Sequence, residues 1–470
     1  MADERPNILF ILTDDHAAHA ISAYGSKLLE TPGIDRIARE GMRFDAMYCT
    51  NALCAPSRAS ILTGTYSHVN GVYTLSTHFD ARQPTFVSML HDAGYQTWLI
   101  GKWHLGHGGI HDPQGFDYWE VLEDQGPYWN PELLSAGGRR RRLPGYTTTV
   151  LTDLALERLR NRDRDRPFCM LLHHKAPHRS WDPDTKHAHL FADGVPEPPT
   201  LWDDHSGHSR AAQTAAMRIS HDLTLRDLKQ PYPPGLDERE RTRWAYQRYM
   251  QDYLRCVVSI DENVSRVLDA LDEEGLAENT IVVYSSDQGF FLGDHGWYDK
   301  RFMYEESLLM PLLVRYPREV PAGSSTDAMA LNIDFAQTFL DYAGIDPHPR
   351  MQGRSLRPLL RGEPTPPDWR QSIYYRYWEH DDGCHHVVAH YGVRTKRYKL
   401  VYYYGDGLGL PGTSDRTTPP EWELFDLERD PAELTSVHDD PAYADVRREL
   451  EAELARLQAE FGDKPHTGKA

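Results

Sequence analysis

The chain has 470 residues, 40% of them hydrophobic and 11% aromatic, enough for one large domain with an appendage or for two to three average ones. Its formal net charge is −19, with 70 acidic against 51 basic residues, which argues against general binding to nucleic acid or to an anionic membrane surface. The five cysteines, odd in number and without a C-x-x-C pair, fit neither a disulfide framework nor a zinc site.

No basic stretch precedes a long apolar one at the start, and nothing reads as a signal peptide or membrane span, so the chain as given reads as cytoplasmic. Four short apolar runs, each ending in polar residues, set the architecture. Residues 7–12 lead into Thr13-Asp14-Asp15-His16, and residues 96–100 into Gly101-Lys102-Trp103-His104. Residues 168–172 lead into His173-His174-Lys175-Ala176-Pro177-His178, and residues 280–284 into Ser285-Ser286-Asp287-Gln288-Gly289. Helical patterns cover 33–40, 83–93, 147–160 and 246–274. Continuous apolar runs separated by helices predict an α/β fold, a large and mostly parallel sheet sandwiched by helices. Ligands in such sheets bind outside the carboxyl ends of the strands, where all four runs put their charged residues.

Residues 192–243, rich in Pro and His, read as a long excursion near the site's rim. A Pro-rich stretch at 362–369 separates a catalytic domain, 1–367, from a smaller C-terminal α+β subdomain, 368–470. That subdomain is expected to hold an antiparallel sheet of strands 372–377, 386–395, 398–404 and 421–426, then a charged amphipathic helix over 443–461. There is no internal repeat.

Residues 49–65 are the most informative stretch. Cys54 lies two residues before Pro56, which suits the first turn of a helix, and Gly64 suits its end. A cysteine at a helix N-terminus feels the positive end of the dipole, and with Arg58 one turn later the pocket favours an anion. Asp14, Asp15 and Asp287, with the amide of Gln288, supply hard oxygen donors of the kind that select calcium or magnesium. Arg58, Lys102 and Lys300 are candidates for holding a tetrahedral anion, and His104 shares a side with Lys102 if the segment is extended. Gln125, Tyr128 and Asn130 in a Gly/Pro-bearing loop, and Trp378, His386 and His390 from the C-terminal part, are the candidate substrate contacts, offering amides and aromatic or imidazole rings.

Cys54-Ala55-Pro56-Ser57-Arg58 with Leu62-Thr63-Gly64 resembles the signature of the formylglycine-dependent (type I) sulfatases of the alkaline-phosphatase-like superfamily. The resemblance runs from Pro6 to about Phe461 and is nearest the N-acetylglucosamine-6-sulfatases. It rests on Gly101-Lys102-Trp103-His104-Leu105-Gly106, His174-Lys175-Ala176-Pro177-His178-Arg179, Ser286-Asp287-Gln288-Gly289 and Asp299-Lys300-Arg301-Phe302. It implies that a formylglycine-generating or sulfatase-maturating enzyme oxidises Cys54 to an aldehyde. It also implies one divalent ion, usually calcium with magnesium as the alternative, held by Asp14, Asp15, Asp287, Gln288 and residue 54.

The implied reaction hydrolyses a small sulfate ester, a sugar 6-O-sulfate by nearest resemblance. The hydrated aldehyde attacks sulfur, and Arg58, Lys102 and Lys300 offset developing charge. His178 protonates the leaving oxygen, and His104 deprotonates the second hydroxyl to expel sulfate. Arylsulfatases and phosphonate monoester or phosphodiester hydrolases use the same aldehyde, and the motifs do not separate them. A glycan-binding protein on a retired scaffold is the remaining alternative, although every catalytic residue of the pattern is present.

Overall fold

The computed structural model describes residues 5–466. Its main sheet has ten strands, in the order Ser324–Thr326, Met42–Phe44, Leu312–Arg315, Thr280–Ser286, Asn7–Thr13, Phe168–His173, Gln96–Lys102, Tyr118–Leu122, Glu132–Ser135 and Arg139–Arg142. The five strands from Thr280–Ser286 to Tyr118–Leu122 run parallel; Leu312–Arg315 and Glu132–Ser135 join antiparallel on either side, and the outer pair Met42–Phe44 and Ser324–Thr326 is parallel. The register pairs Leu12 with both Ser285 and His173, and His173 with Gly101, so the four charged strand ends are level. At Gly101 a Cβ would stand 2.0 Å from the His173 carbonyl, and φ is +109°, so the strands close together here only because the residue is glycine.

The strand Asn7–Thr13 shows how both faces are filled. Ile8, Phe10 and Leu12 point into one core, with Phe10 against Phe335 and Phe339 at ring distances of 4.8 and 5.5 Å. Leu9 and Ile11 point into the other core, shared with the helices Thr147–Arg160 and Glu238–Glu273. Alternation along a strand buried on both faces therefore gives a near-continuous apolar run.

The α/β architecture predicted from the sequence is present, and so is a separate four-stranded antiparallel sheet, Ser372–Tyr377, His390–Thr395, Tyr398–Tyr403 and Glu421–Asp426. The central strands extend one or two residues past the apolar runs, because Lys102, His173 and Ser286 are buried and still paired. The helix expected at 246–274 begins earlier, at Glu238, where Asp237 and Glu240 cap each other at 2.8 and 3.0 Å. The helix expected at 83–93 is Phe86–Asp92, started by a Thr85–Ser88 capping box. The strand expected at 386–395 begins only at His390. The excursion 192–243 holds short helices, and its Asp227 takes Arg179 in a two-point ion pair of 3.1 and 2.5 Å. No helix among the described residues is long and apolar enough to cross a membrane.

Candidate active site

The helix Cys54–Thr63 is buried along its whole length and ends on Gly64 in the left-handed region. Its first turn meets the carboxyl ends of the central strands. Ser57 explains its place in the signature: its hydroxyl donates to the Asp287 carbonyl and accepts from Asn332 Nδ2 at 2.9 Å, fixing the helix against the strand end. Cys54 Sγ lies 3.4 Å from Asp14 Oδ1, and Cys54 is 1% exposed. The dipole argument is outweighed here, since burial pushes the thiol up to about 12 against the pull of Lys300. As a plain thiol this residue is a poor nucleophile.

Asp14, Asp15 and Asp287 offer oxygens that all lie within 4.8 Å of one another, every one of them buried. Gln288 Nε2 donates to Asp15 Oδ1 at 2.6 Å, and its buried Oε1 has no hydrogen-bond partner among the described residues. Three carboxylates and an unpaired amide oxygen form a hard-donor set that suits a calcium- or magnesium-like ion. Each carboxylate also meets one basic side chain. Arg58 Nε and Nη2 reach Asp287 Oδ2 at 3.0 and 2.9 Å, Lys102 pairs with Asp14, and Lys300 Nζ lies 2.8 and 2.9 Å from the two Asp15 oxygens. Burial lifts Asp15 to about 6 against the pull of Lys300, and Asp15 with Asp299 keeps Lys300 charged although it is buried. The three basic groups therefore face an anion site from three directions, in a protein that is acidic overall.

The two histidines flank this floor. His178 Nδ1 donates to the Arg179 carbonyl at 2.7 Å, which leaves Nε2 facing Asp15 Oδ2 at 3.8 Å. His104 Nε2 accepts from Gln125 Nε2 at 3.2 Å, and Gln125 Oε1 takes Lys102 Nζ at 2.5 Å. Burial, with the nearby cations, holds both imidazoles well below their ordinary range. The structure thus brings Cys54, Arg58, Lys102, His104, His178, Lys300, Asp14, Asp15, Asp287, Gln288 and Gln125 into one crevice.

The other expected sugar contacts sit elsewhere. Tyr128 is buried and donates to the His178 carbonyl at 2.6 Å, so it supports that loop from behind. Asn130 Oδ1 accepts from the Gly145 N–H at 2.9 Å, a turn contact that uses up its carbonyl. Trp378 is stacked by the Arg376 guanidinium at 3.5 Å and lies edge-on to Tyr73. His390 is fully buried among the rings of Phe302, Tyr375, Tyr377 and Tyr403 and is a core histidine. His386 points to Asp381 at 2.9 Å, with its side chain 44% exposed.

Its neighbour His385 is the one turned inward, with Nε2 3.5 Å from Asp299 Oδ2 and otherwise unpartnered. Arg301 completes this wall. Nε meets Asp299 at 3.2 Å, and Nη1 reaches Tyr377, Glu379 and Asp382 at 2.9, 3.0 and 3.3 Å. Asp299 and Arg301 hold φ of +79° and +90° on either side of Lys300, a concentration of strain typical of functional segments. The sequence carried a signal for them, since both lie in the phrase that surrounds Lys300.

Residues 6–345 match the sulfatase family, and residues 293–460 match the family described as N-sulphoglucosamine sulphohydrolase, C-terminal. The chain is 43% identical over 505 residues to an N-acetylglucosamine-6-O-sulfatase of Bacteroides thetaiotaomicron, covering 98% of this chain and 87% of that one. It is 31% identical to the N-acetylglucosamine-6-sulfatase of Homo sapiens, over 79% of this chain and 67% of that one. A solved structure of a protein in complex with its substrate D-glucosamine-2-N,6-O-disulfate matches with a TM-score of 0.91 and 42% identity, over 99% of this chain and 100% of that one. The phosphonate monoester hydrolase of Agrobacterium radiobacter shares the fold at a TM-score of 0.75 and 20% identity, over 97% of this chain and 96% of that one. Sheet and crevice are those of a hydrolase of the alkaline-phosphatase-like superfamily. Within that class the chain belongs to the sulfatase family and is a sulfuric ester hydrolase.

Proposed function

We propose that this enzyme removes the 6-O-sulfate of N-acetylglucosamine or of a closely related glucosamine, using a formylglycine made from Cys54 and one divalent ion, calcium. The observation that carries the sugar assignment is the wall of Asp299, Arg301 and His385, set directly beside Lys300 and the anion floor. Carboxylate, guanidinium and imidazole in one buried patch suit the hydroxyls of a pyranose, which both donate and accept. The two N-acetylglucosamine sulfatases and the glucosamine-disulfate complex named above act on or bind that class of sugar, which supports the same reading.

Asp14, Asp15, Asp287, Gln288 and residue 54 would hold the ion, whose charge offsets the three carboxylates and helps polarise the sulfate oxygens. The hydrated aldehyde at residue 54 would supply both the attacking hydroxyl and a second hydroxyl whose deprotonation re-forms the aldehyde and breaks the C–O bond to the sulfated oxygen, releasing sulfate. The remaining work falls to the chain's own side chains. Arg58, Lys102 and Lys300 orient the sulfate and offset the charge that develops on its oxygens, the kind of preorganised contact worth about 3–4 kcal/mol each. His178 turns Nε2 toward the departing sugar oxygen, because Nδ1–H is committed to the Arg179 carbonyl, and it donates a proton from Nε2 only as imidazolium, a form that the negative charge of a bound sulfate favours. His104 is kept neutral by burial and by the adjacent cations, the state a base needs.

The decisive experiment compares kcat/KM for 6-sulfated N-acetylglucosamine, an aryl sulfate and an aryl phosphonate, normalised to the aldehyde content of the Cys54 peptide. A strong preference for the sugar is expected. A faster aryl phosphonate with the sugar unprocessed would overturn the sugar assignment while leaving the aldehyde chemistry standing.

A further inference from the structure

A second buried cluster lies outside the crevice, where the excursion 192–243 meets the segment that leads to Lys300. Asp203 and His208 come from the excursion, and His295 lies five residues before Lys300. His208 Nε2 and His295 Nδ1 converge on one oxygen, Asp203 Oδ2, at 2.9 and 3.0 Å. The other oxygen, Oδ1, is occupied by the His205 N–H at 3.0 Å. Both imidazoles are fully buried, and the Asp203 side chain is 9% exposed.

Counting protons makes the cluster unusual. The Tyr304 hydroxyl donates to Glu423 Oε2 at 2.9 Å, so at 2.9 Å it accepts from His208 Nδ1–H. Unless it carries a second proton, His208 then turns the lone pair of Nε2 toward a carboxylate oxygen, which is repulsive unless a cation stands between them. The charges point the same way. Asp203, Glu306 and Glu423 are buried or nearly so, and among the described residues none has a Lys or Arg ion-pair partner, only His208 and His295. His295 Nε2 and Glu306 Oε2, 3.8 Å apart, also lack any hydrogen-bond partner. Burying three carboxyls with histidines as their only basic partners is expensive, and a metal ion held between them supplies the positive charge that extra protons would otherwise have to supply.

We propose that Asp203, His208 and His295 form a second metal site, suited to zinc, that pins the excursion to the segment carrying Lys300. Two imidazole nitrogens and one carboxylate oxygen are zinc donors, unlike the all-oxygen set in the crevice. Tetrahedral zinc with bonds of ~2.0 Å sets its ligand atoms roughly 3.3 Å apart, a few tenths of an ångström from the two nitrogen–oxygen separations found here, and all three ligand atoms lie within 4.8 Å of one another. The outer partners have the form that metal-bound histidines use, His208 through Tyr304 to Glu423 and His295 toward Glu306. His205 stands next to the site, its ring 5.5 Å from that of His208 and both its nitrogens unpartnered. Cysteine spacing gave no hint of zinc because these donors are not cysteines.

The test uses the full-length enzyme, stripped with chelator, dialysed and given one equivalent of zinc in excess calcium, which keeps the all-oxygen site filled. About one zinc per chain should survive gel filtration, and Tm should rise by several degrees, as binding to the folded state alone requires. His208→Gln and His295→Gln should each retain less than roughly a tenth of an equivalent and show no zinc-dependent Tm shift, whereas Asp287→Asn in the crevice should keep its zinc. Wild type that retains no zinc and shows an unchanged Tm overturns the proposal without any variant. Zinc kept by His208→Gln but lost from Asp287→Asn overturns it as well, by assigning the ion to the crevice.

Discussion

The floor and the wall of the crevice are built from different parts of the chain and solve different problems. On the floor, Asp14, Asp15, Lys102 and Asp287 stand at level strand ends, and Arg58 projects from a helix buried along its length. Arg58 and Lys102 each meet a carboxylate that follows a strand end, so their positions are fixed by the sheet and by the helix packed on it. The wall comes from the strained segment Asp299–Arg301 and from a loop of the C-terminal sheet, with Tyr375 and Tyr377 holding Arg301 by its carbonyl and its guanidinium. On the proposed reading, bond cleavage rests mainly on strand ends and the buried helix, with Lys300 the floor group carried by the wall's segment, and substrate choice rests on two loops.

That division is broken most directly at residue 54. Cys54→Ala should lower kcat on the sugar sulfate and on an aryl sulfate alike, by about 10³-fold or more, because the nucleophile is removed. Cys54→Ser should give at most one slow turnover, since it lacks the second hydroxyl. Multiple turnovers near the original rate by either variant would remove residue 54 from the chemistry. Chelation should likewise silence both substrates, and added calcium should restore them; full activity in chelator would exclude an ion held by Asp14, Asp15 and Asp287.

The next effect in size belongs to a single cation of the floor. Lys300→Met should cost about 10²–10³-fold in kcat on both substrates, the usual loss for one preorganised charge contact. A loss confined to the sugar would move Lys300 from the floor to the wall.

The wall should separate the substrates. His385→Ala is expected to lower kcat/KM for the sugar by about 10–10²-fold while the aryl sulfate changes by less than about threefold, because only the sugar offers hydroxyls there. Equal losses on both would show that His385 supports Asp299 and Lys300 and does not touch the sugar.

The floor was legible in the sequence because its residues follow apolar runs that have to be buried strands. Once such a strand is fixed, its carboxyl end and hence Asp14, Lys102, His178 and Asp287 are fixed with it. The residues of the proposed sugar wall were mostly illegible, and the expected contacts were placed elsewhere, each for a physical reason. His390 carries the same polar label as a ligand, but the next strand and Phe302 close over it, and burial holds it near 4. Asn130 looked like a free amide, yet its left-handed φ of +51° makes it the turn residue that receives Gly145. Asp299 and Arg301 were visible beside Lys300, but alternation along an extended segment would have turned them away from it; their positive φ angles remove that alternation.

The smallest expected effect tests the most local of these errors. A strand from residue 386 onward would set His386 and His390 on one side and leave His385 on the other. Instead Asp382 Oδ1 accepts the N–H groups of Cys384 and His385 at 2.9 and 3.0 Å, and His386 adopts a φ of +53°. This side-chain-stabilised turn reverses which histidine faces in. Asp381, the partner of His386, is already held by Arg416 at 2.8 and 2.9 Å, so removing the imidazole leaves no buried charge alone. His386→Ala should therefore change kcat/KM for the sugar by less than about twofold and stability by about 0.5 kcal/mol or less. A sugar-specific loss as large as that of His385→Ala would mean that the loop re-forms around the substrate, with the two histidines sharing the wall.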